Sequence, residues 1–217
     1  MLFEGWEIVA IKTDDETVRI LKKGNVIFSP QLPTRKVQAI QNLGMGVFDK
    51  VYLRFADRFW SREPTWFEYI GENPKAWPMF LNIWKFNEQP ILAAFNVGAF
   101  AQSLERQTDR DVINGAMTVL RTIYGKNTPE PIAAKVTRWG SDPYSLGAYS
   151  YIPKGETAAN LDVLGEPVDN RLFFAGEATS SKDYATVHAA YLSGIRAADQ
   201  IKAMNLRSAE AGLTTGT

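Results

Sequence analysis

The stretch that decides the fold is "RLFFAGEATSSKDYATVHAAYLSGIRAADQI", which runs from Arg171 to Ile201. It predicts a short buried strand over "LFFAG", then an acidic residue, a loop and a long amphipathic helix. Apolar residues recur on one side of that helix, at Val187, Tyr191, Ile195, Ala198 and Ile201. Such an arrangement is typical of one end of a nucleotide-cofactor site, although no glycine-rich phosphate loop precedes it in the sequence.

Three features of this stretch suit a bound ligand. Gly176 allows the backbone to approach a ligand closely, and Glu177 can accept hydrogen bonds from hydroxyl groups. The helix begins near Ala185 to Val187, where free N–H groups and the positive end of the helix dipole favour negative charge, such as that at N1 and O2 of a reduced flavin. The pattern alone leaves a second interpretation open, in which a buried strand simply packs on a helix.

Composition and charge narrow the range of functions. The 217 residues carry 24 basic and 24 acidic side chains, so no net field draws the chain to nucleic acid or to an anionic membrane. There is no cysteine, which excludes disulfides, thiol catalysis and thiolate metal sites. The single histidine, His188, argues against a zinc site or a serine triad, and we expect no metal.

No segment of the sequence has the pattern of a membrane span or a signal peptide. The longest apolar run, from Ile91 to Ala101, is too short to cross a bilayer and contains Asn96. The N-terminus carries acidic residues early and lacks the pattern of a secretory signal. These features predict a protein of the cytoplasm or of another soluble intracellular compartment.

Most of the remaining sequence alternates between strand and helix patterns. "WEIVAIK" and "TVRIL" predict a hairpin around the turn "TDDE", and "TRKVQAIQNLG" predicts a helix from Thr34 to about Leu43 with Gly44 as its cap. "VFDKVYLRF", "TWFEYIG", "PMFLNIWKF", "PILAAFNVG" and "AAKVTRW" predict strands. "FAQSLER" predicts a short helix, and "TDRDVINGAMTVLRTIYG" a long one capped by Thr108 and ended by Gly125.

Two further segments contain residues that can serve structure or chemistry. Lys50 lies in an otherwise apolar strand, either as an edge residue whose ammonium reaches solvent or as a functional amine. The preceding "GMGVFD" lacks a third glycine and comes before a strand, so it is not a phosphate loop. The loop "RWGSDPYSLGAYSYIPKG" contains Trp139 and Tyr149, which suit either a binding surface or a corner packed on the sheet.

Three motifs follow one another in a fixed order, namely "FSPQLPTRKVQAIQNLGMGVFDKVYLRFADRFW", "RWGSDPYSLGAYSY" and "RLFFAGEATS…ATVHAAYLSGIRAA". Together they resemble the C-terminal half of the flavin-containing amine oxidases, a family with polyamine oxidases, monoamine oxidases, L-amino-acid oxidases and flavin histone demethylases. The resemblance runs from about Leu21 to Met204. It implies an α+β fold: a mixed, largely antiparallel sheet with flanking helices, plus a C-terminal strand and helix of the FAD-binding domain.

The resemblance also assigns roles to residues. Lys50 matches the catalytic lysine that holds a water against the flavin N5, and Tyr149 matches the aromatic wall beside the reacting amine. The positions that match cofactor contacts are Trp139, Gly176, Glu177, Ala185, Thr186 and Val187. Thr186 also matches a substrate-binding position, where monoamine oxidases have a second aromatic wall. The threonine there favours the polyamine-oxidase and demethylase-like branches of the family.

The implied reaction is the oxidation of an amine. A hydride passes from the amine-bearing carbon to the flavin N5, the imine hydrolyses, and oxygen reoxidises the flavin to give hydrogen peroxide. The cysteine that binds flavin covalently in some members is absent, so the resemblance implies FAD held without a covalent bond. The implied partners are a small-molecule amine and an N-terminal FAD-binding half or second subunit.

The resemblance suggests four segments and leaves the function with alternatives. We expect residues 1–20 to be a hairpin left from the FAD-domain region, 21–152 a substrate-binding domain, 153–204 the FAD-contacting strand and helix, and 205–217 a frayed tail. The dinucleotide-binding motif of the family is missing, so the chain corresponds to a fragment or split half of an oxidase. The alternative is a non-catalytic binding or scaffold module with the same fold. A third class, the flavin desaturases and porphyrinogen oxidases, is disfavoured by the amine-oxidase-like "RWGSDPYSLGAYSY" loop.

Overall fold

The computed structural model describes residues 7–8, 18–24 and 26–214, with side chains for 18–24 and 26–204. It divides into two compact units, which we treat separately: the first unit is Met1–Met45 with Tyr144–Thr217, and the second unit is Gly46–Pro143. The strands are β1 (Glu7–Ile8), β2 (Phe28–Ser29), β3 (Gly44–Gly46), β4 (Phe48–Arg54), β5 (Trp66–Glu68), β6 (Met79–Asn82), β7 (Ile91–Val97), β8 (Ala133–Val136) and β9 (Tyr149–Tyr151). The helices are α1 (Val18–Lys22), α2 (Thr34–Asn42), α3 (Trp84–Asn87), α4 (Gly98–Leu104), α5 (Asp109–Tyr124), α6 (Ala159–Gly165) and α7 (Val187–Thr214).

The second unit is built on a five-stranded antiparallel sheet in the order β5-β6-β7-β4-β8. The alternation in "FDKVYLR" turns Val51 and Leu53 into the core and leaves Lys50 on the opposite face. All five predicted strands form, and the predicted α+β class with a largely antiparallel sheet is confirmed.

Helix α5 covers the core face of this sheet. The Thr108 side chain accepts a hydrogen bond from the Asp111 N–H at its start, and Gly125 ends it with φ 95°, as the sequence predicts. Its buried residues are Val112, Ala116, Met117, Val119 and Leu120. They pack with the buried aromatic side chains Phe55, Trp60, Trp77 and Phe80.

The first unit joins the two ends of the chain around a smaller core. That core contains Val18, Leu32, Ile40, Leu43, Leu161, Leu164, Val168, Phe174 and Ala178. Lys36 of α2 is 3% exposed, and its ammonium donates to the carbonyls of Val163, Leu164 and Glu166 at the end of α6. The lysine therefore caps α6, a helix that the sequence analysis did not predict.

The predicted N-terminal hairpin is wrong in its second strand. The described part of "TVRIL", from Val18 onward, forms helix α1, and Val18 and Ile20 are buried in the first unit. The strand β1 pairs with β2 instead. The predicted turn "TDDE" and most of the first run lie outside the described residues, so they are not compared here.

Gly44 does not cap α2, because Leu43 at the end of that helix is already extended and Gly44 begins β3. The ring of Tyr151 lies where a side chain would start: a Cβ at Gly44 would be 2.4 Å from the ring atoms. The glycine is therefore required by close packing against β9, the partner strand of β3.

The predicted strand over "LFFAG" does not form. Among the described residues, the β-pairing of this segment is limited to an isolated antiparallel bridge between Val168 and Leu172. The polar backbone groups of the segment use side chains of α7 instead: Arg196 donates to the Phe174 carbonyl at 2.9 Å, and Ser193 accepts from the Gly176 N–H at 2.8 Å. Without a neighbouring strand among the described residues, side chains take over the backbone pairing.

The last helix continues through Thr214, well past the predicted end near Met204, so the expected tail is helical over most of its length. The compact units also divide the chain at other places than the predicted segments do. Residues 21–152 contribute to both units, and residues 153–204 belong to the first.

Candidate functional site

In the second unit, the ammonium of Lys50 lies among aromatic rings on the sheet face opposite α5. Its Nζ is 4.7 Å from the ring centroid of Phe48 and 5.6 Å from that of Phe95, the residue of β7 that lies directly opposite Lys50. Burial lowers the pKa of Lys50, while the charge of Asp49 acts in the opposite direction. The amine is thus half-buried on an aromatic surface, in a position that suits a functional amine.

Asp49 links the strand of Lys50 to the turn of Trp139. Its Oδ1 accepts from the Thr137 hydroxyl at 2.9 Å and from the Trp139 N–H at 3.0 Å. Thr137 in turn exchanges hydrogen bonds with the backbone of Lys50: the Lys50 N–H donates to its Oγ1 at 2.8 Å, and the Thr137 N–H donates to the Lys50 carbonyl at 3.0 Å. The candidate lysine and the candidate tryptophan are therefore held by the same residues.

A second carboxyl group, on Glu105 at the end of α4, completes this cluster. Its Oε1 accepts from the Gly140 N–H at 2.5 Å, and its Oε2 accepts from the Ser141 hydroxyl at 2.7 Å. A Cβ at Gly140 would lie 2.8 Å from Oε2 of Glu105, so the turn approaches the carboxyl as closely as a glycine permits. Trp139 itself remains 39% exposed.

In the first unit, the Glu177 carboxylate joins the segments that contain the other candidates. Its Oε1 accepts from the Ser150 N–H at 2.9 Å, and its Oε2 accepts from the Ser150 hydroxyl at 2.6 Å and from the Ala185 N–H at 2.8 Å. Ser150 is fully buried in β9, beside Tyr149, which is 36% exposed. One carboxylate thus fixes both the candidate aromatic wall and the start of α7.

The backbone around Glu177 explains two of the predicted residues. Gly176 has φ 121°, which strains any other residue, although a Cβ there would meet no atom within 4 Å. Ala185 has φ 61°, an uncommon conformation held by its bond to Glu177. The Thr186 hydroxyl accepts from the Ala189 N–H at 3.2 Å, so its side chain caps α7.

Helix α7 presents its large apolar side chains outward. Val187 is 88% exposed and Tyr191 is 70% exposed, and the same face continues with Leu192, Ile195, Ala198 and Ile201. The buried residues of α7, on the face that packs on the rest of the first unit, are small, namely Ala189, Ser193 and Ala197, and Arg196 beside them donates to the Phe174 carbonyl. The apolar stripe in the sequence is therefore the exposed side of the helix.

The predicted residues thus form two local groups. Lys50 and Trp139 belong to the second unit, and Tyr149, Gly176, Glu177, Ala185, Thr186 and Val187 belong to the first. The sequence analysis missed Asp49, Glu105, Thr137 and Ser150, which hold these groups in place. Asp49 could have been found, because the alternation of "FDKVYL" predicts that this acidic residue faces the core.

We expect Glu177→Gln to loosen the start of α7. The amide keeps one acceptor oxygen but presents its NH₂ to donors, so at least one hydrogen bond to a charged group is lost, at a cost of about 1–3 kcal/mol. Hydrogen exchange at the Ala185 and Ser150 amides measures the change as lower protection. Glu166→Gln, at an exposed carboxylate of the same unit, is the control; equal protection in both variants would contradict the role of Glu177.

The described part of the chain offers neither a metal site nor a membrane span. No group of three or more His, Cys, Asp or Glu side chains there could hold a metal ion. No helix there is long and apolar enough to cross a membrane.

Comparison with known proteins places this geometry in a family. The model of the flavin-containing amine oxidoreductases matches residues 17–202. Lysine-specific histone demethylase 1 homolog 3 of Oryza sativa subsp. indica is 37% identical over 205 residues, 91% of this chain and 25% of that protein. Homolog 1 of Arabidopsis thaliana is 39% identical over 189 residues, 84% of this chain and 22% of that protein. This chain therefore spans about a quarter of the length of these relatives.

The fold also has a counterpart among solved structures. A structure of wild-type putrescine oxidase bound to putrescine matches with a TM-score of 0.69 and 21% identity, over 81% of this chain and 39% of that one. The likeness extends the agreement from sequence to fold. By the match over residues 17–202, this chain belongs to the flavin-containing amine oxidoreductase family.

Proposed function

We propose that this chain forms the amine-binding half of an FAD-dependent amine oxidase and acts together with a nucleotide-binding half, in another chain or in a longer protein. The observation that carries the proposal is the exposed apolar face of α7, which begins directly after its capping residue Thr186 and whose start is bonded to Glu177 through the Ala185 N–H. Large apolar side chains so exposed are typical of an interface that a partner covers.

Each of the two units offers groups that suit a flavin ring. Trp139 and Tyr149 are partly exposed aromatic side chains, and the space beside Gly176 is open. Lys50 offers a half-buried ammonium on an aromatic surface. Such groups suit a flat, partly apolar ring with polar edges. The cysteine that binds flavin covalently in some members of the family is absent from the sequence, which supports FAD held without a covalent bond.

In this proposal bound FAD would supply the redox chemistry, namely removal of a hydride from the amine-bearing carbon and reoxidation by oxygen to give hydrogen peroxide. The chain supplies orientation and a dry surface. Trp139 packs against the cofactor, Tyr149 walls the amine, and Lys50 holds a water molecule and moves its proton. The lowered pKa of Lys50 suits that role, because it brings the amine closer to the pH at which it can exchange a proton.

The substrate class that we propose is an alkyl amine. The names of the matched proteins, lysine-specific histone demethylase and putrescine oxidase, both refer to such amines. Glu68 supports a substrate with a second positive charge, because it shares a cross-strand row with Met79, Phe95 and Lys50. Three strand spacings of about 4.8 Å separate Glu68 from Lys50, a span that a diamine or a lysine-containing peptide can bridge in part.

The proposal is tested by flavin absorbance under anaerobic conditions. The purified chain is mixed with FAD, alone and with the nucleotide-binding half of a matched relative, and then titrated with putrescine or with butylamine as the singly charged control. We expect the flavin band to be retained with the added half and to bleach with amine, at a lower concentration of putrescine than of butylamine.

The alternative function is a binding module without redox chemistry. The observation that favours it is the lack of a phosphate loop in this sequence, since the pyrophosphate of FAD binds at such a loop. The same titration separates the two functions: failure to retain flavin with any added half, or retention without bleaching by either amine, would support the binding module.

A further inference from the structure

The strongest unexplained feature of the second unit is the contact between two carboxyl groups. Asp49 is 3% exposed, and its Oδ2 has no hydrogen-bond donor among the residues that the structure describes. The Glu105 carboxyl is its neighbour: the two carboxyls accept from the consecutive N–H groups of Trp139 and Gly140, at 3.0 and 2.5 Å, and Glu105 is among the causes that raise the pKa of Asp49. Two ionised carboxylates in contact repel each other, whereas one proton between them turns the contact into a hydrogen bond.

We propose that Asp49 and Glu105 share one proton and, as a pair, position the Trp139 turn against the strand that carries Lys50. The pair receives four donors from that turn, with each carboxyl taking two: Thr137 Oγ1 and Trp139 N–H for Asp49, and Gly140 N–H and Ser141 Oγ for Glu105. A proton between the carboxyls replaces their repulsion with a hydrogen bond, so that both carboxyls can hold the turn at the same time. The link from Trp139 to a flavin rests on the proposed function, but the pair itself does not.

The other charged groups around Asp49 are occupied elsewhere. The ammonium of Lys50 lies on the opposite sheet face, over the rings of Phe48 and Phe95. Arg138, next to Thr137, pairs with Asp109 and donates to the Gln107 carbonyl. The residue opposite Asp49 on β7 is Asn96, which carries no charge. Glu105 is therefore the charged side chain that acts most directly on Asp49 among those described.

The pair makes the turn sensitive to pH in a defined direction. Burial is the largest cause that raises the pKa of Asp49, and Glu105 acts in the same direction; together they raise it from 3.8 to about 6. The hydrogen bonds from Trp139 and Thr137 act in the opposite direction. A raised carboxyl pKa means that the folded state holds its proton more tightly than the unfolded state. The contribution of the pair is therefore fully present below about pH 4 and is lost as the pH rises through about 6.

The test uses the full chain without cofactor, so that it stays separate from the test of the oxidase function. Carbon-13 NMR of the side-chain carboxyls follows Asp49 against pH, and hydrogen exchange follows the Trp139 and Gly140 amides as protection factors. We expect Asp49 to titrate near pH 6, and Glu105→Gln to lower its midpoint. Protection of both amides should fall by about tenfold or more between pH 5 and 7.5, because a shift of one pKa unit corresponds to a tenfold change.

Asp49→Asn keeps an acceptor for Thr137 and Trp139 and supplies a permanent donor toward Glu105. Protection in this variant should stay constant over the same pH range. Glu130→Gln, at an exposed carboxylate paired with Arg121 in the same unit, is the control and should leave the wild-type dependence in place. Titration of Asp49 near its ordinary value, or an unmoved midpoint in Glu105→Gln, overturns the shared proton, and the wild-type titration alone decides this even if a variant fails to fold.

Discussion

Lys36→Met is expected to lower the free energy of unfolding of the first unit by about 3 kcal/mol, since two buried carbonyls and a partly buried one lose their donor and each buried loss costs about 1–3 kcal/mol before relief of the buried charge is counted. The ammonium donates to Val163, Leu164 and Glu166 at 2.6–2.8 Å and lies 4.1 Å from the ring centroid of Phe174. Methionine keeps the apolar stem but donates to none of them. Urea unfolding at pH 7, followed by circular dichroism, measures the loss.

The neighbouring Arg35 supplies the control for this prediction. Its ion pair with Glu166 is exposed, so Arg35→Met should cost at most about 1 kcal/mol. Burial lowers the pKa of Lys36 to about 8 from 10.5, so the unfolded state binds more protons between these values and wild-type stability rises with pH there. Lys36→Met should lack this rise. Equal losses in both variants would contradict the capping role of Lys36.

Lys50→Met is expected to slow amine-dependent flavin turnover by about 100-fold or more in the assembled enzyme, the range found when a group that moves a proton is removed. Flavin should stay bound, because methionine keeps contact with the rings of Phe48 and Phe95. Stopped-flow absorbance separates flavin reduction from reoxidation and shows which step depends on the lysine.

Lys135→Met is the matched control for Lys50. Lys135 is exposed on β8, opposite Tyr52 of the same strand that carries Lys50, so it shares the sheet but lies at the sheet edge. The Lys135 variant should turn over at the wild-type rate. Normal turnover in Lys50→Met would remove this lysine from the mechanism, whereas loss of bound flavin would make it a structural residue.

The second unit was predictable because its signals are local. The alternation in "VFDKVYLRF" and the apolar run "ILAAFNV" predict β4 and β7, and a threonine cap and a terminal glycine predict the bounds of α5. β4 and α5 bury one face in their own unit, whereas β7 is buried on both faces, so the hydrophobic pattern of each reports the environment that its residues meet.

The first unit was predicted less well because its environment is set by distant residues. "LFFAG" is apolar like a strand, but its neighbours are Ser193 and Arg196 of α7 instead of another strand. "TVRIL" is rich in β-branched residues, yet tertiary packing of Val18 and Ile20 makes it helical. The stripe on α7 was found, but sequence periodicity does not reveal whether an apolar face is covered.

The site was predictable where a residue type is rare at its position, as with Lys50 in an apolar strand. Its supports were harder to find, because Thr137, Glu105 and Ser150 are ordinary surface residues by type and act through contacts far along the chain. Glu105 reaches the turn 35 and 36 residues away, and Thr137 reaches Asp49 across 88. Only Asp49 left a signal, as an acid at an inward position.

The interrupted first unit has a consequence for the order of events during synthesis on the ribosome. Its opening segment, up to Met45, is synthesised long before its closing segment, which starts at Tyr144. Lys36 can therefore form its hydrogen bonds only after the acceptor carbonyls, 127 to 130 residues downstream, have been made. The second unit is continuous from Gly46 to Pro143 and can complete its sheet first. At about 5–20 residues per second, the opening segment therefore stays without its closing segment for at least several seconds, during which α2 lacks its packing partner α6.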